Sequence, residues 1–215
     1  LIRAWPAFQR EGINFIIGST WDDSVQPMVM QIFPMLYGSI LLAILGVILA
    51  VPMAIALAYL IEFLAPKPIA RVATLLVDLL AALPSVVIGL WGLFVFSPVA
   101  EGWSKLLNQY LGWIPLFGNE SGNFSRSPFI AGWIVAVMIV PIITSVTREI
   151  FSQMDRDLIN AAKALGGGMS STFTKVILPT ASSGIVGGTL LGLGRALGET
   201  VAIFFVRSEE RRVGK

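Results

Sequence analysis

Four long blocks of this chain are apolar and almost free of charge. Ser24 to Ile61 carries no charged residue, and Val72 to Ala100 carries only Asp78. Ser127 to Thr147 carries none, and Val176 to Val206 carries only Arg195 and Glu199. A helix needs about 20 predominantly apolar residues to cross the hydrocarbon core of a bilayer. The pattern therefore predicts an all-α, polytopic transmembrane helical bundle with spans at about 35–60, 72–97, 128–147 and 180–206. Residues 1–34 are expected as a lead-in segment outside the membrane. Trp5, Phe8, Phe15, Trp21 and Phe33 give that segment an interfacial or folded character.

The polar connections orient the bundle. Segments 62–71 and 148–175 hold Lys67, Arg71, Arg148, Arg156, Lys163 and Lys175. The longer segments 1–23 and 97–126 hold only Arg3, Arg10, Lys105 and Arg126. Basic residues concentrate in cytoplasmic loops, so 62–71 and 148–175 are expected in the cytoplasm and 1–34 outside. Gly118-Asn119 and Ser121-Gly122-Asn123 mark the external connection as a loop. No internal repeat or low-complexity linker divides the chain, so one membrane domain is expected over 35–206.

Composition agrees with that solvent. The residues are 55% hydrophobic and 13% charged, with a mean hydropathy of +0.80, whereas a soluble domain carries about 25% charged residues. The net charge of +2 gives no reason to invoke nucleic acid. With no Cys and no His, disulfides, thiol chemistry, common zinc sites and imidazole acid–base catalysis are excluded. No catalytic residue and no metal ligand is assigned.

Within the spans, three kinds of residue stand out. Pro52, Pro84 and Pro141 each remove a backbone donor from a helix. They read either as ordinary kinks or, at Pro84-Ser85, as a bend in a helix lining a pathway. Gly184, Gly188 and Gly192 are spaced by four, as are Gly194 and Gly198. Such spacing lets helix backbones approach closely, either inside this subunit or at a subunit interface. Arg195 and Glu199 share one helical face, about 22 Å along a helix from Thr180. A central Arg costs about 2.5–3.5 kcal/mol even on a mild insertion scale. The pair is either a structural ion pair or the charged lining of a route for an anion. Asp78 is a second membrane carboxylate, with Arg195 or another basic group as its candidate partner.

The connection 148–175 predicts a surface helix around Asp155–Leu165, with Ile159, Ala162 and Leu165 or Gly166 on one face. Gly166-Gly167-Gly168 then ends it, and a second short helix leads towards Leu178-Pro179. An amphipathic helix with a sharp glycine turn can sit in a cleft of a soluble partner and carry motion into the membrane.

Here the sequence resembles a known family. Asn160-Ala161-Ala162-Lys163-Ala164-Leu165-Gly166, nine further residues, then Val176-Ile177-Leu178-Pro179 is similar to the EAA motif of ABC importer permeases. Asn160 stands where the motif usually has Glu, and Val176 where it has Ile. Gly192-Leu193-Gly194-Arg195-Ala196-Leu197-Gly198-Glu199-Thr200 resembles the corresponding segment of PstC-type phosphate permeases more closely than that of PstA-type subunits. Leu83-Pro84-Ser85-Val86-Val87-Ile88-Gly89-Leu90-Trp91-Gly92 resembles another segment of the same family, with Ile88 in place of an aromatic.

The resemblance covers about residues 5–206 and implies the type I importer (MetI-like) permease fold, with four of about six spans present in this chain. It implies a permease subunit that forms the pathway for inorganic phosphate in the bacterial inner membrane. The implied partners are a PstA-type permease, two PstB-type ATPase subunits that bind ATP and Mg, and a periplasmic PstS-type phosphate-binding protein. No P-loop occurs in the chain, so no cofactor is expected in this subunit. Arg195, Glu199, Asp78, Pro84 and Ser85 are its expected pathway residues. Asn160, Ala161, Ala162, Leu165, Gly166 and Pro179 are the expected contacts to the ATPase. The charged run 207–215 is expected to be a non-native tail. A permease for sulfate or molybdate, a PstA-type subunit, a stand-alone channel or secondary transporter, and a membrane enzyme are the weaker readings.

Overall fold

The computed structural model of the chain describes residues 9, 12–18, 21–22, 29–31, 33–113, 124 and 127–198. Residues 1–41 and 42–215 form two compact units. In the first, a short helix α1 (Asn14–Ile17) is followed by strands β1 (Trp21–Asp22) and β2 (Val29–Met30). The strands pair antiparallel, Trp21 with Met30 and Asp22 with Val29. The lead-in expected over 1–34 thus contains a small hairpin in a chain that is otherwise helical among its described residues. Trp5 and Phe8 lie outside the described residues.

Helix α2 (Phe33–Tyr59) runs through Pro52 and ends in a wide π-type turn over Leu60–Leu64. Next come α3 (Lys67–Ala82), α4 (Ser85–Trp91), a second π-type turn over Gly92–Phe96, and α5 (Ser97–Leu111). Helix α6 (Pro128–Ser152) is capped at its start by Ser127, whose hydroxyl accepts from the amide of Ile130, and it runs through Pro141. Two short helices follow, α7 (Arg156–Ala164) and α8 (Met169–Thr172). A third π-type turn over Phe173–Ile177 leads into α9 (Leu178–Gly198).

Among the described residues, four continuous helical stretches are long and apolar enough to cross a membrane: Leu36–Leu64, Ser85–Leu111, Pro128–Ser152 and Met169–Gly198. The first and third are helices that cover the blocks expected at about 35–60 and 128–147. The second is a correction. The expected helix over 72–97 is broken at Leu83-Pro84, where Leu83 is extended at φ −63°, ψ 137°. Proline disfavours the helical conformation of the residue before it and cannot donate to the preceding turn. Helix α3, 16 residues long, is shorter than a perpendicular crossing requires. The long helical course instead begins at Ser85 and carries its polar residues to Leu111, with a Lys105–Glu101 pair at 2.8 Å in which Lys105 is exposed and Glu101 half-buried.

The fourth stretch also starts earlier than expected. It is helical from Met169, so Pro179 lies within it rather than before it. The wide turn before Pro179, closed by Leu178 N–H on the carbonyl of Phe173, relaxes the ladder where the proline ring would otherwise crowd the preceding turn. Residues 199–206 lie outside the described residues, as does the tail 207–215.

Helix α6 is the hub. Its apolar window is 61% buried, against 28% for each of the other three. Ile130, Ile134, Met138, Ile139 and Ile143 are almost fully enclosed, alongside Ala43, Ala50 and Ala54 of α2. Packing, not burial from water, drives helix association in lipid, and α9 shows how it is achieved here. A Cβ on Gly184 would meet Ile150 at 2.1 Å, one on Gly188 would meet Val146 at 3.1 Å, and one on Gly192 would meet Ile143 at 3.0 Å. The glycine seam is therefore an internal joint between α9 and α6. Gly194 and Gly198 face open space and do not extend it.

Candidate functional site

Two clusters of polar residues lie in the second unit. The first gathers where α3 breaks. Ending the helix at Ala82 orphans carbonyls of its last turn. Pro84 has no amide to offer, and Val87 N–H turns to the carbonyl of Pro84. The guanidinium of Arg195, from α9, fills the gap. Its Nη1 donates to the carbonyl of Ala81 at 3.2 Å and its Nη2 to that of Leu83 at 3.4 Å. A cation at a helix C-terminus is also favoured by the helix dipole. Arg195 thus caps α3.

Asp78, one helical turn before Ala81 on α3, takes a different partner. Its Oδ1 accepts a hydrogen bond from the hydroxyl of Ser145 on α6 at 2.9 Å. The structure brings Arg195, Asp78 and the Pro84 break together, but it joins Arg195 to backbone oxygens and Asp78 to a hydroxyl rather than to each other. Ser85 opens α4 immediately beyond the break. Glu199 lies outside the described residues.

The polar stretch of α6 was not singled out in the sequence. Thr144 and Thr147 are fully buried, with hydroxyls that have no hydrogen-bond partner among the described residues, and the Nε of Arg148 is likewise buried and unpartnered. The available signal was the run Thr144-Ser145…Thr147-Arg148 in a helix otherwise apolar from Pro128. Such hydroxyls are easily passed over, because Ser and Thr are common in membrane helices.

The second cluster is the surface element. Asp155 caps α7, its carboxylate accepting from the amide of Asp157 at 2.9 Å. The helix ends at Ala164 in a Schellman turn. Gly167 N–H reaches the carbonyl of Ala162, Gly166 N–H reaches that of Lys163, and Gly166 takes φ +85°. Ile159 is 5% exposed and packs with Phe151, Met154 and Ile177. Leu165 does not share that inward face, a correction to its expected placement: it is 90% exposed. The reason is the turn itself, since Leu165 follows the last helical residue and leaves the helical spacing. Asn160 and Ala161 are exposed and Ala162 is half-buried. Pro179 is exposed at the start of α9. The element so presents a polar and small-residue face bounded by a bare leucine.

The sequence has relatives among transport proteins. Residues 50–210 match the family of binding-protein-dependent transport system inner membrane components. The chain is 39% identical over 217 residues to the phosphate transport system permease protein PstC 2 of Mycobacterium tuberculosis, covering all of this chain and 67% of that protein. It is 38% identical to the phosphate transport system permease protein PstC of Haemophilus influenzae, over 96% of this chain and 66% of that one. For the PstC of Pasteurella multocida the figures are 37%, 94% and 64%.

Proposed function

We propose that this chain, which belongs to the family of binding-protein-dependent transport system inner membrane components, forms part of the route by which an ATP-driven importer carries inorganic phosphate. It is a multi-pass membrane permease subunit. The substrate is taken from two considerations: the relatives are named for phosphate transport, and the charged residue in α9 is an arginine.

The observation that carries the reading is the way Arg195 is held. Its planar fork suits the oxygens of phosphate, to which it can donate two parallel hydrogen bonds. Among the described residues its partners are neutral carbonyls, which anchor the positive charge without cancelling it. A carboxylate partner would neutralise it. An anion arriving at the α3 break would compete with Ala81 and Leu83 for the same N–H groups. Movement of the α3–α4 corner away from α9 would release the guanidinium to it.

The remaining parts follow from the family and from α7. This subunit works with a second permease subunit of the PstA type, two PstB-type ATPase subunits and a PstS-type phosphate-binding protein. ATP and Mg belong to the ATPase subunits, and ATP hydrolysis occurs there and not in this chain. The assembly sits in the bacterial cytoplasmic membrane. Segments 62–71 and 148–175 face the cytoplasm, where Asn160, Ala161 and Leu165 meet the ATPase.

Uptake of radiolabelled phosphate in a host without its own phosphate importer tests this directly. The intact transporter should accumulate label in an ATP-dependent manner, and excess sulfate or molybdate should not compete. Arg195→Ala should abolish uptake with membrane insertion unchanged. Arg195→Lys, which keeps the charge and loses the fork, should reduce it by about tenfold or more. Normal uptake by Arg195→Ala would remove this residue from the route, and competition by sulfate would reassign the substrate.

A further inference from the structure

Covalent connection ties the surface helix to only two of the four spans. Helix α7 follows α6 directly and leads through α8 to α9. Any movement of α7 is passed to those two by the chain itself. The first span, α2 with its terminal turn, has no such link. It nevertheless meets α7 at one charged contact. Glu62, in the π-type turn over Leu60–Leu64, accepts from the Nη2 of Arg156 at 2.6 Å.

Three features mark this contact as more than an incidental surface pair. Arg156 is the first residue of α7, the positive end of a helix, where a cation is disfavoured and a carboxylate preferred. Helix formation therefore does not explain its presence, whereas a partner across the gap does. The same guanidinium lies over the ring of Phe63, 5.4 Å from its centroid, so two neighbouring residues of the turn hold it. Phe63 in turn begins a chain of rings. It lies 5.6 Å from Phe151 at the end of α6 and 5.3 Å from Tyr59, which lies 4.4 Å from Phe173 in the turn before α9. Glu62, Phe63 and Arg156 also line a small groove of about 130 Å³ beside Asn160 and Lys163, so the contact adjoins the face that α7 presents.

We infer that Glu62 and Arg156 form a positioning pair that transmits movement of the surface helix to the first membrane span, so that this span responds to the ATPase together with the third and fourth. The inference rests on the proposed transport role and adds to it the first span's means of coupling. Neither residue touches the transported anion.

The test is a charge exchange in the complete transporter: Glu62→Arg, Arg156→Glu, and both together, with phosphate uptake and ATP hydrolysis measured on the same membranes. Each single change should lower phosphate carried per ATP hydrolysed by about tenfold, and the double exchange should recover most of that loss. Arg156→Glu places a carboxylate where α7 prefers one. A role for residue 156 confined to the start of α7 therefore predicts no loss, or a gain, from that change. Glu62→Gln, which preserves shape, should uncouple partially and provides a milder variant if a reversal impairs assembly.

Singles that keep the parental ratio would overturn the inference. So would a double exchange no better than its singles at equal membrane abundance. If the unaltered transporter carries no phosphate, the proposed function fails instead, and that outcome is seen before any variant is compared.

Discussion

The hydrogen bonds of single residues separate the roles of Arg195 and Asp78. Arg195 makes two long charge-assisted bonds, at 3.2 and 3.4 Å, to carbonyls with no other partner shown among the described residues, and each contributes less than the roughly 1.5–3 kcal/mol of a short one. Asp78 receives one bond from a neutral hydroxyl and is exposed. An amide oxygen could accept that bond equally well. Asp78→Asn is therefore expected to keep phosphate uptake within about threefold of the parent, whereas Asp78→Leu, which leaves Ser145 without its acceptor, should cost about 1 kcal/mol of stability. Thermal denaturation in detergent and an uptake assay on the same variants check both. Collapse of uptake in Asp78→Asn would return the carboxylate's charge to the mechanism. The sequence made Arg195 conspicuous, because a charge deep in an apolar span has a cost that needs a reason. It could not reveal the partner. The acceptors are backbone oxygens, which every residue has, and only the break at Pro84 makes these two available.

Among the elements, the surface helix was legible almost to the residue. A helix over about Asp155–Leu165, Ile159 on its packed face and the glycine run as terminator all follow from local chemistry that is written in side chains, and the structure adds Asp155 as its cap. The three glycines are not equivalent, however. Gly166 needs its left-handed conformation, and a Cβ on Gly167 would lie 2.6 Å from the carbonyl oxygen of Ala162. A Cβ on Gly168 would meet nothing within 4 Å. Gly167→Ala should thus force the turn open and weaken assembly with the ATPase. Gly166→Ala should cost about 1–2 kcal/mol, and Gly168→Ala should be silent. Co-purification of the ATPase with each variant distinguishes them, and equal behaviour of Gly167→Ala and Gly168→Ala would contradict the observed turn. The seam in α9 was legible only as spacing. Four-residue intervals of glycine announce a close approach but not its partner, and it is Ile143, Val146 and Ile150 that assign it to α6.

For the molecule as a whole, the presence of four helices long and apolar enough to cross a membrane among the described residues follows from hydropathy, but the path of the second does not. Averaged apolarity over 72–97 conceals one proline that divides the stretch and lets the course resume from Ser85 to Leu111. This division supplies the corner on which the proposed transport site rests. Were 67–111 one helix, Ser85 N–H would take the carbonyl of Ala81 and Val87 N–H that of Leu83, by the ordinary four-residue ladder. Arg195 would lose both its anchors and remain in the membrane with no partner shown for it. Alanine is favoured over proline in a helix interior by about 3 kcal/mol, enough to promote that closure. Pro84→Ala is therefore expected to insert normally and yet reduce phosphate uptake by about tenfold or more. Pro84→Gly, which leaves the helix weak at the same point, should retain more of the activity than Pro84→Ala. Should Pro84→Ala transport as well as the parent, the open corner of α3 and α4 is not what holds the cation in place, and Arg195 must be positioned by its own helix alone.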